Sequence, residues 1–178
     1  MIIRPAEPDD AREITAVWVR AWQVAYAGVV PAEFLMAMDV ESHVPYRRKR
    51  IAELAPPSAM LVACEDEGVV GFANVSGYRT DPGETVGPDV GEVCGIYVHP
   101  SRWSTGTGYA LMEAAVAQLR KTGFTDVRLW VLDENPRARR FYERFGYVAD
   151  GAAKMFTVDR DGPNEAEVRE VRYRLAVG

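Results

Sequence analysis

The sequence predicts an α/β protein with a central mixed sheet of about seven strands, mostly antiparallel, and helices on both faces. Seven short apolar or alternating segments are separated by runs with helical spacing. Their order is strand, helices, two strands, strand, helix, strand, helix, two strands. The strand–helix–strand units in the middle favour parallel pairing, because a crossover through a helix returns the chain in its original direction. Strands that follow one another directly pair antiparallel. No internal repeat or linker interrupts the 178 residues, so residues 1–178 are expected to form a single domain.

The elements justify this reading in turn. Residues 2–5 form a short strand, and Glu7-Pro8-Asp9-Asp10 marks a helix start, where acids face the positive end of the helix dipole. In that helix Trp18, Trp22 and Tyr26 recur every four residues and share one stripe. Trp18 is expected in the core. Trp22 and Tyr26 lie at the C-terminal end, before Gly28, where a cavity can open. Residues 31–38 and 42–54 read as two further helices, and the Arg47-Arg48-Lys49-Arg50 run of the second as a solvated face. Pro56-Pro57 ends that helix. Residues 59–64 and 69–77 are strands joined by a hairpin turn at Asp66-Glu67-Gly68, and 80–89 is a loop rich in Gly, Pro and Asp.

The next stretch carries most of the functional signal. Val93 to Val98 is a strand ended by Pro100, followed by a polar loop with Gly106 and Gly108 and then a helical run through Leu111, Ala115 and Leu119. A glycine-bearing loop that leads into a helix N-terminus presents unpaired N–H groups to an anion. Gly95 inside the strand suggests a bulge or a close backbone approach. The glycine spacing matches neither G-x-x-x-x-G-K-[ST] nor G-x-G-x-x-G. Residues 126–132 form a strand, and Asn135-Pro136 suits a cap with Pro at the first helical position. Gly146 stops that helix. Residues 147–158 and 168–177 are the last two strands, separated by a polar loop containing Gly162-Pro163.

Composition narrows the class. Hydrophobic content of 48% with 26% charged residues is that of a soluble globular protein, with no bilayer-length apolar run and no secretory leader. A cytoplasmic location is expected. A net charge of −5 argues against nucleic-acid binding and suits a cationic substrate. Cys64 and Cys94 lack metal-type spacing and are expected as free buried thiols. His43 and His99 lie far apart, so no metal site is expected.

Val98, Pro100, Trp103, Gly106 and Gly108, followed by Asn135, Ala138, Phe141, Tyr142, Gly146 and Tyr147, resemble two motifs of the GCN5-related N-acetyltransferase superfamily. These are V-x-P-x-x-[QR]-x-x-G-x-[GA] and N-x-x-A-x-x-F-Y-x-x-x-G-[FY]. The resemblance extends over nearly the whole chain. It implies that a bulge splays the strand at Glu92–Val98 from its parallel neighbour, and that acetyl-CoA is the co-substrate, without a metal. It also implies the cofactor contacts. Backbone of Ile96, Tyr97 and Val98 would bind the pantetheine arm, amides of Ser104, Thr105, Gly106, Thr107, Gly108 and Tyr109 the pyrophosphate, and Asn135 the arm while capping its helix.

By the same resemblance Tyr142 is the general acid, a role that suits a phenol still protonated at neutral pH. Glu92 is the candidate base, and strand alternation places it on the face of Cys94, Ile96 and Val98. Asp133 and Glu134 compete for that role but sit where capping is expected. Trp22 and Tyr26 are the candidate acceptor-binding residues. Trp103 stands where the family has Gln or Arg, and Ser104 where it often has Gly, which leaves the pyrophosphate to backbone amides. The implied activity is direct acetyl transfer to the primary amine of a small molecule. A protein or peptide acetyltransferase and a non-catalytic acetyl-CoA sensor are the alternatives. The expected partners are the amine and, for assembly, a second copy of the chain.

Overall fold

In the computed structural model, which describes residues 1–159 and 161–178, seven strands form one sheet in the order β1-β2-β3-β4-β5-β7-β6. They are β1 (Ile2–Pro5), β2 (Ala59–Glu65), β3 (Gly68–Gly77), β4 (Val90–Val98), β5 (Asp126–Leu132), β6 (Val148–Val158) and β7 (Ala166–Ala176). The helices are α1 (Ala11–Ala25), α2 (Ala32–Ala37), α3 (Val40–Ala52), α4 (Thr107–Lys121) and α5 (Pro136–Phe145). One residue of the polar loop expected between the last two strands, position 160, lies outside the described residues.

Among the described strands, only β4 and β5 pair in parallel. The second strand–helix–strand unit does not, because β7 inserts between β5 and β6. β7 pairs with β5 from Ala176 opposite Asp126 to Glu170 opposite Leu132, and with β6 on its other side. β6 is thereby left at the sheet edge, with Val148, Met155 and Phe156 exposed.

The helices divide between the faces by their apolar stripes. Ile14 and Val17 of α1 and Ile51 of α3 pack on Val62 and Phe72, while Val19 of α1 and Leu35 of α2 pack on Leu132 and Val168. On the opposite face Leu111, Met112, Ala115 and Leu119 of α4 join Val93, Val98, Leu129 and Tyr173, together with Tyr142 of α5. Leu111 is fully buried, so its truncation to Ala would cost about 2–5 kcal/mol through lost transfer energy and a cavity. Arg47 departs from the solvated face expected of its basic run. Its guanidinium lies 5.5 and 5.3 Å from the ring centroids of Trp18 and Phe72, because the helix turns its aliphatic stem onto the aromatic core. Arg48 and Lys49 do sit at the surface, paired with Asp9 and Glu53.

Two irregularities in β4 position the site. Its pairing with β3 runs from Asn74 opposite Gly95 to Val75 opposite Val93, so Cys94 is an extra, unpaired residue. A single inserted residue exchanges the faces of everything beyond it. Val93, Ile96 and Val98 therefore all pack toward α4, while Tyr97 stacks on Phe72 on the α1 side. Glu92, next to Val93, points to the α1 side as well. Simple alternation had put Glu92 on the face of Cys94, Ile96 and Val98; the bulge at Cys94 overturns that for Ile96 and Val98. The second irregularity is that the β4–β5 ladder stops after three pairs, Val90–Asp126, Gly91–Val127 and Glu92–Arg128. Beyond them the strands diverge.

Candidate active site

The divergence of β4 and β5 opens a cleft of about 1240 Å³ that reaches both faces of the sheet. On the α4–α5 face it is lined by Ile96 and Val98, by the loop residues Ser104, Gly106, Gly108 and Tyr109, and by Asn135, Phe141 and Tyr142. On the α1–α2 face it is lined by Trp22, Tyr26, Arg79, Asp81, Glu92, Trp130, Lys154, Phe156 and Glu170. Strand alternation explains the split, since Leu129 and Val131 face α4 while Trp130 faces the other way.

The loop before α4 is shaped for close approach by a ligand. Gly106 caps the helix with φ 96°, and Ser104 adopts φ 63°, a left-handed conformation that costs a non-glycine residue about 1 kcal/mol or more. Ser104 thus holds a backbone conformation that favours glycine and bears its strain. The first intrahelical bond is Ala110 N–H to the Gly106 carbonyl, so the amides of Thr107, Gly108 and Tyr109 have no partner within the helix. Thr105 and Thr107 do not line the cleft. The Thr105 hydroxyl donates to the Arg102 carbonyl and sits 3.0 Å from that of Thr107, so both hydroxyls are spent inside the loop.

A Cβ built on Gly108 would meet Phe141 at 3.5 Å, an ordinary contact, so that position tolerates a small side chain. Trp103 donates its indole N–H to the Val98 carbonyl at 2.8 Å, and the Arg137 guanidinium stacks 3.8 Å from its ring. A cation thus stands at the cleft after all, carried by α5. Arg102 turns away to Glu65 and Glu67.

Tyr142 is buried among the rings of Phe141, Tyr147 and Tyr173. Its hydroxyl makes no hydrogen bond among the described residues, whereas those of Tyr147 and Tyr173 reach Met112 and Glu143. Burial pushes the Tyr142 phenol well above its ordinary value, because its charged form would be stranded in apolar surroundings. It stays protonated and able to donate. The Asn135 carbonyl oxygen accepts from the Ala138 amide at 3.0 Å, which caps α5 and fixes Asn135 at the cleft wall.

Glu92 is 2% exposed and fully engaged. Arg79 binds it with Nη2 at 2.6 Å, Nε at 3.1 Å and its backbone N–H at 3.0 Å. Arg79 belongs to the loop after β3, which lies across the α1–α2 face. That loop is pinned by Arg172 to Tyr78 and Glu84, and by Lys154 to Asp81. The two competing carboxylates are not in the cleft: Asp133 is held by Arg139 and Arg169, and Glu134 is exposed.

Cys94 lines the cleft half-buried, with its sulfur 3.1 Å from the Ser76 hydroxyl. Burial pushes that thiol up and holds it protonated, the form that is a poor nucleophile. Cys64 is likewise half-buried rather than fully so. Sequence reasoning did not single out Arg79, Lys154, Arg137 or Glu170 as site residues. They are single residues on four different segments, with no common spacing to find.

A family model described as the acetyltransferase (GNAT) family matches residues 13–147. The chain belongs to that family. It is an N-acetyltransferase, with acetyl-CoA as the acetyl donor the family uses. Among curated relatives it is 28% identical over 135 residues to the uncharacterized N-acetyltransferase YuaI of Bacillus subtilis, covering 75% of this chain and 73% of that one. An uncharacterized N-acetyltransferase of Mycobacterium bovis is 30% identical over 142 residues, 80% of this chain and 85% of its own. A mycothiol acetyltransferase of Nocardiopsis dassonvillei is 33% identical over 106 residues, 60% of this chain but only 32% of its own length. The fold matches the PaiA N-acetyltransferase of Thermoplasma acidophilum, solved with coenzyme A, at TM-score 0.71 and 17% identity over 98% of both chains. It also matches an acetyltransferase of Salmonella typhimurium, solved with acetyl-CoA, at TM-score 0.69 and 19% identity, over 99% of this chain and 94% of that one.

Proposed function

We propose that this protein transfers the acetyl group of acetyl-CoA directly to the primary amine of a small molecule. The gap between β4 and β5 carries the reading. It joins a backbone-lined channel on the α4–α5 face to a polar, aromatic-walled chamber on the other, so a thioester and an amine can meet within the sheet. The pantetheine arm would pair with β4 at Ile96, Tyr97 and Val98, acting as an added strand. Amides of Ser104 to Tyr109 would hold the pyrophosphate at the positive end of α4, with Arg137 beside them. The chamber is bounded by Trp22 and Tyr26 on one side and by the pinned loop of Arg79 and Asp81 on the other, which favours a small acceptor over a folded protein.

The chemistry then needs two proton movements. The amine nitrogen attacks the thioester carbonyl carbon, a C–N bond forms, and the C–S bond breaks as the tetrahedral intermediate collapses. Tyr142 gives its proton to the departing sulfur and recovers one from solvent. The amine's proton passes to Glu92, whose oxygens are freed when the acceptor displaces the largely exposed Arg79 side chain. Purified protein should bind acetyl-CoA in a calorimeter and release CoA thiol when given the right amine. A flat calorimetric titration at saturating acetyl-CoA would overturn the reading.

A further inference from the structure

We propose that Glu170 is the carboxylate that receives the acceptor's ammonium group, and that the acceptor is a cationic amine with a flat apolar body. The inference rests on the acetyl-transfer reading only for the place of the chamber on the reaction path. Glu170 stands on β7 opposite Leu132 of β5 and Lys154 of β6, on the same face as Val168. It is half-buried and lines the cleft.

The chamber holds three carboxylates and two cations. Arg79 is spent on Glu92, and Lys154 on Asp81 at 3.1 Å. Glu170 alone of the three carboxylates has no hydrogen bond or ion pair among the described residues. Two cations against three carboxylates leave one negative charge, located at Glu170. A half-buried carboxylate without a partner is costly, and an entering cation offsets that cost.

The surroundings select the rest of the ligand. Trp22, Tyr26, Trp130 and Phe156 form the chamber's aromatic wall, which suits a flat apolar group and attracts a cation over its ring faces. Lys154 already lies 4.3 Å from the Trp130 ring centroid. A ligand carboxylate entering the chamber would meet Arg79 still on Glu92, Lys154 on Asp81, and Glu170 repelling it. Burial also pushes the Glu170 carboxyl above its ordinary range, against the lowering by Lys154 and Arg79 and with the help of Glu92 and Asp81. Amine binding should therefore weaken as pH falls and the carboxylate takes up a proton, earlier than for an ordinary glutamate.

The test is a titration of CoA-saturated protein with 2-phenylethylamine, followed by the intrinsic tryptophan fluorescence, to which Trp22 and Trp130 of the chamber contribute, against 3-phenylpropionate and 2-phenylethanol. Saturable binding of the amine, weakened at least about tenfold in Glu170→Gln and largely kept in Glu170→Asp, supports the assignment. Acetyl-CoA affinity by calorimetry should be unchanged in both variants, which shows that they are folded. Equal amine affinity in wild type and Glu170→Gln, no saturable amine binding, or preference for 3-phenylpropionate would overturn it. Glu170-dependent amine binding without thiol release from acetyl-CoA would sink the acetyl-transfer reading and leave the ammonium site standing.

Discussion

On the α4–α5 face the cleft is built from backbone groups and aromatic rings, whereas the α1–α2 face gathers charged side chains, two ion pairs and the unpaired Glu170, against an aromatic wall. The first side needs a bulged strand, a loop with a left-handed residue at its helix cap, and a helix that begins where the loop ends. Each demand restricts residue type at a fixed place, so Pro100, Gly106, Asn135 and Gly146 stand at recognisable spacing. The second side needs only that side chains from β4, β6, β7 and one loop meet. Any of several residues could supply those charges, and no spacing records the choice.

Five substitutions and one titration probe this contrast, from the largest expected effect to the smallest. Tyr142→Phe keeps the ring packing and deletes the donor, so turnover should fall by roughly 10²–10⁴-fold while acetyl-CoA affinity stays constant. Steady-state rates with calorimetry check this; unchanged turnover would reduce Tyr142 to a packing residue. Glu92→Gln should slow turnover by about 10²-fold or more without weakening acetyl-CoA binding. An unaltered rate and pH profile would show that Glu92 serves only to anchor Arg79.

Gly106→Val forces a β-branched residue into φ 96° and should weaken acetyl-CoA binding by about tenfold or more, the strain being about 1–3 kcal/mol. Trp103→Ala removes the platform under Arg137 and should cost less. Gly108→Ala should cost little, because its Cβ finds ordinary contact distances. Calorimetry with circular dichroism as the folding control ranks the three, and a larger loss for Trp103→Ala would place phosphate recognition on the Trp103–Arg137 pair instead of the amides. The smallest effect concerns alkaline stability. Burial raises the folded-state values of Tyr142 and Tyr147 above the ordinary phenol value of about 10, so their contribution is fully present below that pH. It is lost as pH rises further, since the unfolded chain gives up those protons first. The melting temperature should therefore decline above about pH 10, and less steeply in Tyr142→Phe.

Much of the fold was legible in the sequence, down to the seven strands and the loop entering α4. Three features were not. The β7 insertion between β5 and β6 depends on which hairpin strand reaches β5, and alternation looks the same for either. The face of Glu92 depends on one unpaired residue, and Gly95 announced a bulge without saying that Cys94 would be the residue left over. The engagement of Glu92 by Arg79 was equally hidden, because thirteen positions separate them across a hairpin loop.

The early end of the β4–β5 ladder has a consequence for the protein's life outside catalysis. It places an unsatisfied strand edge within a sheet, and such edges invite pairing with other chains. A ligand that lies along Ile96–Val98 covers that edge and is bound by the folded state alone. At a hundred times its Kd, acetyl-CoA would add about 2.7 kcal/mol to stability. The fraction of intact enzyme, and the protection of β4 amides from hydrogen exchange, would then follow the supply of the acetyl donor itself.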